Sequence, residues 1–365
     1  MDKAKKKLLE ESECIAMVVG FVTSVGLLSL PNGVVQDAKQ DGWLSVVIGG
    51  VYPLFLAFLS IYYVKKHPKE DILVLSKKYL GDILGTICNI LFLAQFGIYL
   101  IGVASGMSNV YMTYVTAFLT PIKIFIPAIL LATYLAVKGI KVLARINIIA
   151  LYAVVMSVLT LLTGLQRGNY LNLFPIFGSG YKNILKASIE SAYAYGGLEG
   201  IFLIYPFMRN KYKIKAVVLK SSFLIMSLYI WTTFICIYYL GYKVTSKALW
   251  PVLLVTVGVN LPVLNNFRFI FLFLWSITIF RTLANYQYSV TYILSNILKI
   301  KDKKKVYWFT VPIVIYLCLK VGNEVQRRAF LGFIIPKVTL FNIAYISIIA
   351  ILIFIKDKGR KSTKT

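Results

Sequence analysis

The stretch GFVTSVGLLSLPNG, residues 20–33, is apolar enough for a membrane and too interrupted for one straight helix. Gly20, Gly26, Pro31 and Gly33 punctuate it, and Thr23 and Ser24 fall in its middle. Within a bilayer every backbone N–H and C=O needs a partner, so a break is tolerated only where protein or a watery cavity surrounds it. A second stretch, SAYAYGGLEGIFLIYPF (191–207), has the same character, with Gly196, Gly197, Glu199, Gly200 and Pro206. Alone, Gly33 or Gly200 would read as a helix-packing residue. Ser24–Gly26 paired with Gly196–Gly200, at corresponding places in two halves of a chain, points instead to a transporter-type binding site. Unwound backbone there offers N–H and C=O groups to a small zwitterion, and helix N-termini suit a carboxylate.

The composition agrees. Of 365 residues, 59% are hydrophobic and 15% charged, and mean hydropathy is +0.76. A spanning helix takes about 20 mostly apolar residues. Ten apolar segments can be marked: 12–36, 43–64, 83–110, 121–137, 145–165, 183–207, 215–240, 266–297, 306–321 and 334–355. They leave no room for a separate soluble domain. The expected fold is an all-α polytopic membrane protein, one transmembrane domain over 1–365, with repeat one at about 12–165 and repeat two at about 183–355. The basic start precedes an apolar run with Glu13 and Pro31 and no small-residue cleavage site, so it reads as the first span rather than a cleavable signal.

The net charge of +26 would suggest nucleic acid in a soluble protein. Here it reads as topology, with no nucleic-acid partner. Of 40 Lys and Arg, 27 fall in loops on the predicted inner side and 11 on the outer side, with Arg268 and Arg281 in span eight. That bias places both termini in the cytoplasm and supports an even number of spans. Residues 68–82 predict an amphipathic helix at the inner interface, through Ile72, Leu75, Tyr79 and Leu80. Residues 248–259 are apolar but too short to cross, and predict an outer re-entrant or interfacial piece, a candidate lid. Trp43, Trp250 and Trp308 sit where an interfacial belt would.

Cys14, Cys88, Cys236 and Cys318 are far apart and have no metal spacing, and His67 is the single histidine. The sequence therefore offers no metal site, no cofactor motif and no nucleophile–base pair, so an enzyme is not expected. An ionisable group at membrane depth is usually functional or paired. Glu199 follows the double glycine and is a candidate gate, proton-coupling site or amine contact, or equally a structural partner. Arg281 lies deep in span eight, and an ion pair with Glu199 is one expectation. Glu13 and Glu190 are nearer span ends and read as solvated. Tyr193 and Tyr195 flank the second break and are candidates for a pocket wall.

The run GLLSLPNGV (26–34), DGW (41–43), GVAS (102–105), GLE (197–199), ALWP (248–251) and Trp275 resembles the spore germination permease family. These are the B subunits of germinant receptors, within the amino acid–polyamine–organocation superfamily. The resemblance implies a LeuT-like fold, two inverted five-helix repeats with helices 1 and 6 broken. It also implies a germinant-sensing subunit in the spore inner membrane, working with A and C subunits on a small nutrient, commonly an amino acid. Carried over by position, the pocket would comprise Thr23, Ser24, Gly26, Tyr195, Gly196, Gly197 and Glu199, with Ser105 and Tyr286 from spans three and eight. Two departures stand out: Ser24 replaces a glycine common at the first break, and Asn265, Asn266, Phe267 and Arg268 replace a charged stretch at the start of span eight. The alternative is a working amino-acid permease coupled to H+ or Na+.

Overall fold

The computed structural model describes residues 8–257 and 268–362. Asn265, Asn266 and Phe267, and the basic residues Lys3, Lys5, Lys6, Lys7 and Lys364, lie outside the described residues. The described chain is helical, with one isolated bridge between Leu9 and Met208. Among the described residues, six helices are long and apolar enough to cross a membrane, and two shorter apolar ones, Pro121–Val137 and Leu198–Phe207, join them.

The first apolar segment is two helices, α1 (Glu11–Val22) and α2 (Gly26–Ala38), separated at Thr23 and Ser24. The break is local chemistry. The Thr23 hydroxyl and N–H both donate to the Val19 carbonyl, each at 2.9 Å, and Thr23 itself is extended (φ −74°, ψ 104°). Such side-chain bonds to the backbone compete with helix continuation. Next come α3 (Gly42–Gly49) and α4 (Val51–Lys66), then the short α5 (Ile72–Leu80). Asp71 caps α5 by accepting from the Val74 N–H at 3.0 Å. α5 buries Ile72, Leu73 and Leu75 against α6 (Asp82–Tyr114) and the last helix, so it is packed into protein as well as amphipathic.

α7 (Pro121–Val137), α8 (Ile140–Leu159) and α9 (Thr163–Arg167) follow. The sixth segment is again broken: α10 (Tyr181–Ala194) stops, and α11 (Ile201–Ile204) resumes after Leu198–Gly200. α12 (Ile214–Lys247) kinks at Gly241. α13 (Pro251–Val257) is the short piece expected before span eight; residues 258 and 259 lie outside the described residues. It is buried against α2 and α12. Trp250 at its start is 1% exposed and packs on Tyr114 with ring centroids 5.8 Å apart, so it belongs to the core and not to a belt.

α14 (Arg268–Ile297), α15 (Lys303–Val321) and α16 (Glu324–Ser362) complete the chain. α16 starts ten residues before the apolar segment drawn at 334. Its polar first turns hold because Glu324 pairs with Arg327 and Arg328, its neighbours at i+3 and i+4. α14 lies centrally, packed against α6, α7, α8 and α1. α2 packs against α10 and α12.

One end of the molecule is tied shut. The Leu9 N–H donates to the Phe207 carbonyl at 2.8 Å and the Arg209 N–H to the Leu9 carbonyl at 2.9 Å. Tyr205 donates to the Glu70 carbonyl, and Lys66 pairs with Asp357. Leu9, the α4–α5 turn and Asp357 of α16 therefore share this end. Glu13 is also held there: it is 5% exposed, accepts from the Glu10 N–H at 2.7 Å and pairs with Lys141 at 2.6 Å. It is a buried ion-pair partner, not the solvated end residue expected.

Candidate functional site

The two breaks meet at Gly197. Its φ of +111° is left-handed, and a Cβ there would stand 2.5 Å from the Phe21 carbonyl oxygen. Only glycine permits both the conformation and the approach. The last turn of α1 leaves its carbonyls without helical partners, and neighbouring helices supply donors. The Thr282 hydroxyl, with one proton to give, lies 2.9 Å from the Gly20 carbonyl and 3.1 Å from that of Thr23, Tyr229 donates to Val22 at 3.0 Å, and Tyr286 donates to Phe21. Gly20 admits a second close approach, where Asn147 and Asn285 exchange amide hydrogen bonds at 2.8 and 3.0 Å.

Above the breaks, toward the end opposite the termini, lies a cavity of about 300 Å³. Ser24, Gly26 and Gly33 form one wall, Tyr193 and Gly196 another, and Tyr286 and Tyr99 close the floor. The floor is aromatic: Tyr99 and Tyr286 rings are 5.6 Å apart, and Phe21 and Phe96 pack beneath at 5.9 and 6.0 Å from Tyr286. The Tyr99 hydroxyl is buried and lies 2.7 Å from where a Gly196 Cβ would be.

The cavity mouth carries charge. Arg327 grips Glu324 through Nε and Nη2, both at 2.7 Å, and lies 3.3 Å from the Gly102 carbonyl. Arg328 shares Glu324 at 2.8 Å, donates to the Asn32 side chain at 2.7 Å and reaches the Leu249 carbonyl. Glu190, on α10, lies over Gly33, its Cγ 3.2 Å from a Cβ placed there. Glu190 lines the cavity.

Of the residues singled out in the sequence, Ser24, Gly26, Tyr193, Gly196 and Tyr286 line this cavity; Thr23, Ser105, Tyr195, Gly197 and Glu199 do not. Ser105 donates to the Ile101 carbonyl of its own helix at 2.7 Å. Tyr195 is buried, stacks on Tyr229 at 5.3 Å and donates to the Val46 carbonyl at 3.0 Å. Glu199 is fully buried and accepts from Tyr52, from Asn342 at 3.1 Å and from the Gly197 N–H at 2.6 Å. It caps the restarted helix 6 and joins it to α4 and α16.

The expected Glu199–Arg281 ion pair is not formed. Glu199 is already satisfied by those three donors. Arg281 turns instead to the Thr23 hydroxyl and the Asn147 carbonyl, the latter at 3.4 Å. Sequence reading missed Tyr99, Arg327 and Arg328. Tyr99 looked like ordinary span packing among 25 tyrosines. The two arginines looked like an outer loop, although Glu324 at i−3 and i−4 was the available signal that they stand on a helix.

The family model described as Spore germination protein, the spore permeases, matches residues 8–327. The chain belongs to the spore germination protein family. This family member is 23% identical over 359 residues to spore germination protein YndE of Bacillus subtilis (strain 168), covering 96% of each chain. It is 20% identical to spore germination protein GerQB of Bacillus cereus, over 86% of this chain and 85% of that one. It is 27% identical to spore germination protein A2 of Bacillus subtilis (strain 168), over 75% and 76%. Among solved structures, a substrate-bound outward-open Na+-coupled sialic acid symporter superposes with a TM-score of 0.69 at 10% identity, covering 93% of this chain and 79% of its own. That likeness shows the fold, a LeuT-like transporter fold with helices 1 and 6 broken. The chain is a membrane-spanning, transporter-like spore germination protein.

Proposed function

We propose that this protein is the nutrient-sensing subunit of a spore germination receptor, using a transporter fold to bind a small ligand. The observation that carries the reading is the cavity at the two helix breaks, lined by Ser24, Gly26, Tyr193 and Gly196 from both broken segments. Its volume of about 300 Å³ suits a small nutrient. The α2 start, at Ser24 and Gly26, would receive a carboxylate. Glu190 on one wall and the Arg327–Arg328 pair on another favour a zwitterion such as an amino acid. Tyr193, Gly196, Tyr286 and Tyr99 would shape the rest. Thr23, Ser105, Tyr195, Gly197 and Glu199 would hold the breaks in place behind the ligand.

The two halves, about 12–165 and 183–355, would act as inverted repeats rocking about this site. The ligand would act by population shift, through its differential affinity for two arrangements of the bundle. That shift would pass to A and C subunits in the spore inner membrane, with both termini of this chain cytoplasmic. Family membership and the relatives' printed names support a germination role over plain nutrient uptake.

The test uses spores lacking the gene. They are exposed to a panel of amino acids and germination is followed as loss of optical density. Uptake of the same labelled compounds is measured in growing cells. Loss of one nutrient response with uptake unchanged supports the sensor and names its ligand. Normal germination with impaired uptake overturns it in favour of a permease.

A further inference from the structure

Arg281 has an environment that calls for an explanation of its own. It is 0% exposed, on the central helix α14, and among the described residues no carboxylate lies within ion-pair distance of it. Its Nη2 donates to the Thr23 hydroxyl at the helix-one break, and its Nη1 to the Asn147 carbonyl on α8 at 3.4 Å. Its Nε has no partner among the described residues. A buried charge without a counter-ion is normally neutralised or excluded. What lies beside it is the C-terminal end of α1, the negative end of a helix dipole, where a cation is stabilised.

In transporters with discontinuous helices, the unwound carbonyls and half-helix C-termini are where a soluble coupling cation sits. Here those oxygens are engaged by the protein. Phe21 and Val22 accept from the Tyr286 and Tyr229 hydroxyls, the single Thr282 hydroxyl proton lies within reach of the Gly20 and Thr23 carbonyls, and the Thr23 hydroxyl accepts from Arg281. An alkali cation would need such oxygens in place of its hydration shell, and it would meet the guanidinium charge in a poorly screened interior.

We infer that Arg281 is a resident cation, permanently occupying the carbonyl-rich break of helix one, so that the protein takes up no sodium ion there and engages its ligand without one. The inference deepens the sensor reading, since a sensor needs no ion gradient to drive it, and it is tested separately from that reading.

The experiment is thermal unfolding of the purified full-length protein in lipid nanodiscs, with choline chloride exchanged stepwise for sodium chloride at constant ionic strength. The wild type is expected to unfold at the same temperature throughout. Arg281→Gln is expected to gain a saturable rise in unfolding temperature with sodium, and Arg281→Lys to keep the wild type's indifference. A saturable sodium response in the wild type overturns the inference. So does an Arg281→Gln protein that is monodisperse yet indifferent to sodium. If Arg281→Gln does not fold, binding of radioactive sodium to the wild type decides: stoichiometric binding overturns the inference and none supports it. No germination assay enters, so failure of the sensor reading leaves this result standing.

Discussion

The Tyr286 hydroxyl of α14 donates to the Phe21 carbonyl at the end of α1, and the same ring forms part of the cavity floor. One side chain therefore closes an open helix end and bounds the candidate ligand site. Helix break and cavity are mechanically one object: a movement of α1 relative to α14 must break this bond or carry the floor with it.

Tyr286→Phe removes the donor and leaves the Phe21 carbonyl unpaired while keeping the ring. The expected loss is about 1 kcal/mol, the scale of one interhelical hydrogen bond in a membrane protein. Thermal unfolding in nanodiscs should show a fall of about 2 °C. The germinant dose–response should move further than that small loss explains, because the floor loses its anchor.

Gly197→Ala should abolish a folded, responsive protein. It adds a Cβ 2.5 Å from the Phe21 carbonyl oxygen at a φ of +111°. Gly97→Ala is the control, since a Cβ there meets nothing within 4 Å. Comparing the yield of monodisperse protein from the two variants checks the assignment.

Glu199→Ala strands three buried donors, from Tyr52, Asn342 and Gly197. Each unsatisfied group costs about 1–3 kcal/mol, so the variant should accumulate poorly. Glu199→Gln keeps an acceptor for Tyr52 and Asn342 but offers one oxygen instead of two, and should fall between the two. A Glu199→Gln protein with wild-type unfolding temperature and a shifted pH optimum for germination would instead make Glu199 a proton-coupling group.

Arg328→Gln should loosen the cavity mouth. Arg328 ties α16 to Asn32 of α2 and to the Leu249 carbonyl. A cysteine placed at Ser29, on the cavity wall, should react faster with a water-soluble maleimide in the Arg328→Gln background than in the wild type. Equal rates would show that the arginine does not hold the mouth.

The α4–α5 turn should weaken in mild acid. Burial, aided by the Lys78 charge, holds the His67 pKa below its usual value despite the neighbouring Glu70. The Lys78 ammonium holds the Glu70 carboxyl below the carboxylate range. Both shifts disfavour protonation in the folded state, so the unfolded turn binds more protons and stability falls as pH drops. The histidine contribution begins to fade below about pH 6.5, and the Glu70 contribution at lower pH. The protection factors of residues 67–71, each exchange rate set against its intrinsic rate at the same pH, should fall between about pH 7.5 and 5.5, and His67→Gln should flatten that trend.

Much of the architecture was legible in the sequence because its causes are local. Apolar runs mark the spans, and Thr23, Ser24, Gly196 and Gly197 interrupt helices through bonds and conformations of their own neighbourhood. The position of the candidate site follows from the same breakers, which is why Ser24, Gly26, Tyr193 and Gly196 appear in the cavity wall, while of the two residues implied by the family resemblance in spans three and eight Tyr286 lines it and Ser105 does not. Other outcomes depend on which helices meet. A buried tyrosine such as Tyr195 or Tyr99 has the same sequence signature whether it packs or faces a cavity, and only the rotation of its helix decides. Arg281 and Glu199 are both buried charges at membrane depth, and sequence reading joined them because opposite charges attract. Three-dimensional packing gave each of them nearer partners: three donors for Glu199, and for Arg281 the Thr23 hydroxyl and the Asn147 carbonyl beside the open end of α1. Hydrogen bonding is satisfied by whichever polar group lies within about 3 Å, and that distance is set by the tertiary fold.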